Sequence, residues 1–124
     1  MNQSYYVVIS SISVSSVSGS GPSYNVTYLS DPSAAKIGDK VIVEKRDAGA
    51  GAGSTILSTY TYIVTATNYL SYQLTLKYEY DTAGLGDDSP ADLYSGGGSS
   101  GSPQIAPHKV VRLTAPFVMF SELL

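Results

Sequence analysis

Residues 72–80 read YQLTLKYEY, with Tyr or Leu at every even position and a polar side chain at every odd one. A β-strand sends successive side chains to opposite faces, so a period of two gives this segment one apolar and one wet face. The alternation predicts that Tyr72, Tyr78 and Tyr80 are covered together with Leu74 and Leu76 in the assembled protein. Working toward the N-terminus, Tyr60, Tyr62, Val64 and Ala66 repeat the pattern with Thr61 and Thr65 opposite, and Ile63 interrupts the polar side. Residues 41–44 are short and β-branched, and Tyr24, Val26 and Tyr28 alternate again. Residues 5–17 read as one long strand with a serine-lined face, and residues 109–114 as the last.

No window has helical apolar spacing behind a capping residue; PSAAKI, residues 32–37, offers one or two turns at most. Short strands separated by Gly, Pro, Asn and Asp point to an all-β fold, an antiparallel β-sandwich or barrel. At 124 residues the chain has the size of one domain and can bury a core without staples. It has no cysteine, so neither disulfides nor thiolate metal sites enter. Seven Lys and Arg lie scattered among ten acids, which makes no basic stripe for nucleic acid. Residues 1–20 lack the basic start and continuous apolar block of a signal peptide, and no apolar run is long enough for a membrane-spanning helix. The expected chain is soluble and non-secreted, binding neither nucleic acid nor membrane. Residues 1–94 form its core, 95–107 a flexible Gly/Ser/Pro-rich loop, and 108–124 a final strand and extended arm.

The sites that the sequence suggests are few. DAGAGAGST, residues 47–55, lacks the third glycine of a dinucleotide fingerprint and is followed by no helix, so it reads as a hairpin tip. Asp81, Asp87, Asp88 and Asp92 have oxygen ligands suited to calcium, but their spacing fits neither an EF-hand nor a nonapeptide repeat. Turn chemistry accounts for them better, with Gly84, Gly86 and Pro90 beside them. His108 is the single histidine, and it has neither a cysteine nor a Gly-x-Ser-x-Gly elbow to work with. No catalytic residue and no cofactor are therefore expected. Eleven tyrosines suit half-buried sheets and interfaces alike. Tyr5, Tyr69 and Tyr94 fall outside the alternation and are candidates for an interface or for stacking on a ligand. Phe117, Val118, Met119, Phe120, Leu123 and Leu124 make an apolar tail that suits assembly.

Within residues 36–93, the strings IGDKVIVEK, TYTYIVTATNYLSYQLTLKYEYDTAG and LGDDSPADL carry an "IGD-V" strand entry, a "Y-VTA" strand and an "LTLKY--D" strand running into "GDDSP". These elements resemble small β-domains in virion structural proteins of tailed bacteriophages, especially marine and cyanobacterial ones. The resemblance implies a non-enzymatic protein assembled in many copies with itself and with other virion proteins such as the major capsid protein. Its place would be the virion, put together in the host cytoplasm, as a capsid decoration (cement) protein or else a neck or tail component. The residues alone leave open a carbohydrate- or cell-surface-binding module using exposed tyrosines. They also leave open a self-assembling fibre subunit, suggested by the silk-like loop.

Overall fold

The computed structural model describes residues 5–47, 55–82, 90–94 and 104–114. The chain is all-β and its strands pair antiparallel. In chain order the strands are β1 (Tyr5–Ile12), β2 (Val14–Ser18), β3 (Ser23–Tyr28), β4 (Lys40–Arg46), β5 (Ile56–Asn68), β6 (Gln73–Asp81), β7 (Gln104–Ile105) and β8 (His108–Thr114). A single 3₁₀ turn, Tyr69–Ser71, links β5 to β6, and one helical turn, α1 (Pro90–Leu93), lies between β6 and β7. Seven strands follow the order β1-β8-β4-β5-β6-β3-β2, and β7 pairs beside β4.

The ends of that order explain how the core is enclosed. β1 and β2 are halves of one extended segment broken only at Ser13, yet they stand at opposite edges of the sheet. The Leu29 amide donates to the Ser13 carbonyl (2.9 Å), and Val14 pairs with Tyr28 while Ile12 pairs with His108. The sheet thus rolls over on itself until both edges reach the same stretch of chain. The strand ladder does not close into a barrel, because among the described residues β1 bonds only to β8 and β2 only to β3. Inward positions then form one core, with Tyr24, Val26, Val41, Tyr62, Leu74, Leu76 and Val110 all buried. Fully burying a side chain of this kind contributes about 1.5–3 kcal/mol, so a core of this size holds the roll without disulfides.

One bulge and one turn correct the reading of the tyrosines. Tyr62 pairs with Tyr78 but Thr61 with Tyr80, so Glu79 is an extra residue in β6. Beyond it the strand's faces exchange, and Tyr80 leaves the face of Leu74 and Leu76 and is 59% exposed. Tyr72 does not belong to the strand: it caps the 3₁₀ turn in the left-handed region (φ 56°) and stands exposed. Of the three, only Tyr78 packs inward, edge-on to Tyr62 with ring centroids 5.7 Å apart. An extra residue at Thr65 does the same in β5, exposing Ala66 and bringing Thr67 opposite buried Leu74.

Local chemistry ends the strands. β4 and β5 form a hairpin, and Asp47 continues it by donating its amide to the Thr55 carbonyl (3.0 Å) and accepting the Thr55 amide on Oδ1 (2.8 Å). Residues 48–54 lie outside the described residues. Gly19 leads the β2–β3 turn at φ 113°, where a Cβ would stand 2.9 Å from the Ser23 carbonyl oxygen, so only glycine fits. The turn before β4 is organised by Asp39, which is buried and accepts the Lys36 amide (2.7 Å) and both arms of Arg112 (2.9 and 2.8 Å). Arg112 also donates to the Ala34 carbonyl (3.0 Å). Arg112→Leu leaves the buried Asp39 carboxylate with the Lys36 amide as its remaining donor among those named and is expected to destabilise the fold. A urea titration measures it, and an unchanged midpoint would show that solvent already satisfies Asp39.

Candidate assembly surface

β8 pairs with β4 only through Lys109, Val110 and Val111. Its last residues go on to pair with β1 alone, in the register Tyr5–Thr114, Tyr6–Leu113, Val7–Arg112 and Val8–Val111. Among the described residues no strand flanks either outer edge of this part, so it projects as a two-stranded ribbon. Directly opposed residues share a face, which places Tyr6, Val8 and Leu113 on one side and Tyr5 and Val7 on the other. All five are exposed, from 39% at Val7 to 62% at Val8. A hairpin alone in water is marginally stable and should bury one face. Here one face is apolar and wet, and on the other Tyr5 and Val7 stand exposed beside Thr114 and Arg112.

The ribbon's electrostatics fit contact with protein. Residues 1–30 contain no Asp, Glu, Lys, Arg or His, so β1, β2 and β3 carry no formal charge. Within the ribbon, Arg112 of β8 is committed to Asp39 (2.8 Å), and the remaining ion pairs join β4, β6 and the start of β8. On the outer face of the sheet, Glu44 accepts from Arg46 (3.0 Å) and Lys109 (3.1 Å), and Lys40 pairs with Glu79. Burial works against the Glu44 charge, but its two cations outweigh that and hold the carboxyl below the usual range.

The structure distributes the expected interface residues unevenly. Tyr5 belongs to the ribbon. Tyr69 is half-buried and engaged internally, its hydroxyl donating to the Ala35 carbonyl and its ring lying 5.2 Å beneath the Lys36 ammonium. Tyr94 is half-buried and lines a hollow of about 220 Å³ with Ser13, Val14, Leu93, Ile105, Ala106 and Pro107. Phe117, Val118, Met119, Phe120, Leu123 and Leu124 lie outside the described residues, as do Asp87 and Asp88. Asp81 ends β6 and accepts the Tyr78 hydroxyl (2.8 Å). Asp92 stands in α1, apart in sequence from that strand end. Among the described residues no three acidic, histidine or cysteine side chains gather as a metal site. Sequence reasoning missed Tyr6, Val7, Val8 and Leu113. Their signal was the unalternating YYVV run, apolar on both faces within a charge-free stretch.

His108 is fully buried at the place where the two sheet edges meet. Its Nε2 lies 2.9 Å from the Leu93 carbonyl, which can only accept, so Nε2 carries the proton. Nδ1 therefore accepts the Tyr28 hydroxyl (2.8 Å), and the rings meet edge-on, 5.4 Å between centroids. Burial lowers the His108 pKa to about 4 and pushes the Tyr28 hydroxyl up, so both are neutral at pH 7. With both nitrogens occupied and no surface exposed, His108 joins β8, β3 and α1. It is placed as a structural residue.

Among the described residues no helix is long and apolar enough to cross a membrane. No family model, no curated protein and no solved structure matches the chain.

Proposed function

We propose that this protein is a non-enzymatic assembly subunit: a virion structural protein of a tailed phage, a capsid decoration protein in the first instance and otherwise a neck or tail component. The observation that carries the assembly reading is the row of Tyr5, Tyr6, Val7, Val8 and Leu113, uncharged along β1 and exposed in the single chain. The virion setting rests on the resemblance of residues 36–93 to phage structural domains. In the sequence, the apolar residues 117–124 come shortly after β8, which ends at Thr114. Deleting residues 117–124 is expected to weaken association while the β-type circular dichroism persists. Collapse of the fold on that deletion would make the tail ordinary core. Quantitative mass spectrometry of particles purified from the virus that encodes the gene tests the setting. Many copies per particle are expected, and absence from the particle would refute the virion role.

One observation favours a second reading, a carbohydrate-binding module. Exposed Tyr80 borders an open hollow of about 660 Å³ on the outer sheet face, with Lys40, Ile63, Lys77 and Glu79 around it. Aromatic faces beside hydrogen-bonding side chains suit a sugar. A glycan-array screen decides it: saturable binding abolished by Tyr80→Ala, with an unchanged melt, would favour this reading over assembly.

A further inference from the structure

We infer that two copies of this chain join through their β1 edges, antiparallel about a two-fold axis at Val7, so that the two sheets become one. The inference rests on the assembly reading and specifies its partner and contact. Edge strands in water are normally guarded by charge, proline or a covering element, because their unpaired amides and carbonyls recruit other strands. From Tyr5 to Val8 the edge has no charged residue and no proline, and no described residue pairs with its outer side. The sequence bulge of β1, at Ile9, comes only after these four residues.

Symmetry then restricts the pairing. Two identical antiparallel strands in one sheet are related by a two-fold axis perpendicular to it, so each residue keeps its face and opposes a residue of the same parity. An axis at Val7 sets Tyr6 against the second copy's Val8 and Val7 against its own counterpart. Every cross-strand pair is aromatic with β-branched or β-branched with β-branched, the combinations that stabilise sheets. No like charges meet, although the chain as a whole carries a net charge of −3. A second copy thus matches this edge in hydrogen bonding, side-chain type and charge. Four residues of edge fall short of the roughly 800 Å² per partner of a standard interface, so the dimer is reversible and depends on concentration.

The test is sedimentation velocity on the full-length chain with two exposed-site variants, Val8→Lys and Tyr6→Glu. Each variant alone is expected to weaken the dimer at least about tenfold, since charge enters an apolar cross-strand pair, while circular dichroism stays that of the wild type. Mixed in equal amounts, the two are expected to dimerise again. The new lysine and glutamate then face one another on one side of the axis, and the native Tyr6–Val8 pair is kept on the other. Dimerisation that survives either variant, or failure of the mixture to recover it, overturns the edge contact. If association also vanishes on deleting residues 117–124, the assembly reading survives and moves to the tail. A wild-type chain that stays monomeric at all concentrations overturns both.

Discussion

Replacing Tyr62 with alanine is expected to remove about 3–5 kcal/mol of folding stability, the range for truncating a buried aromatic. Tyr62 is fully buried in the middle of β5, between Val41 of β4 and Tyr78 of β6. Its ring meets Tyr24 edge-on at 6.4 Å and Tyr78 at 5.7 Å, so one truncation opens a hole shared by β3, β5 and β6. Domains of ordinary stability have only about 5–15 kcal/mol to lose, so the variant is expected to be largely unfolded or to melt far below the wild type. Tyr80→Ala, on the other side of the Glu79 bulge, is expected to change stability by no more than about 0.5 kcal/mol. Urea unfolding of the pair measures the contrast. Equal losses at the two sites would mean that the faces of β6 do not exchange at Glu79.

Acid should weaken the fold in two stages, and His108 governs the first. In the unfolded chain its imidazole takes a proton near the usual pH 6.5, whereas in the fold it does so only near 4. Between those values the unfolded state binds more protons, so stability is complete above about pH 6.5 and declines as the pH falls toward 4. At about 1.4 kcal/mol per pH unit the loss comes to roughly 3 kcal/mol. Protonation also turns Nδ1 from acceptor to donor, so the Tyr28 hydroxyl must turn and accept where it now donates. Below that window Asp39 and Glu44 take over. Their carboxyls are held low despite burial, so what they contribute is present above the ordinary carboxylate range and fades as they protonate. His108→Gln stays neutral throughout and is expected to abolish the first stage while leaving the second. Chemical denaturation at a series of pH values reads both; a wild-type curve flat from pH 6.5 to 4 would show that His108 is already hydrated in the fold.

The parity of the strands was legible in the sequence, and so was the all-β class. Tyr24, Val26, Tyr28, Leu74 and Leu76 occupy the faces that the alternation gives them. The alternation failed at Ala66 and Tyr80 because a bulge is a property of two strands: an extra residue at Thr65 or Glu79 shows only against its partner's register. Tyr72 failed for a different reason. A left-handed cap is rarely a tyrosine, so the residue type gives no hint of it. His108 looked like a lone residue before a strand, and its partner Tyr28 stands eighty positions earlier, a distance that no local pattern bridges. The ribbon was half legible. Tyr5 was marked by its place outside the alternation, but YYVV looked like an ordinary strand until the structure showed that β4 stops covering β8 at Val111.

Association is the claim on which the rest depends, and sedimentation velocity of the unmodified chain over a broad concentration range tests it most directly. The expected result is a reversible shift from monomer to a larger species as concentration rises, unaffected by salt because the contact is apolar and charge-free. A single monomer boundary at every concentration, from a chain whose circular dichroism shows it folded, would contradict the account.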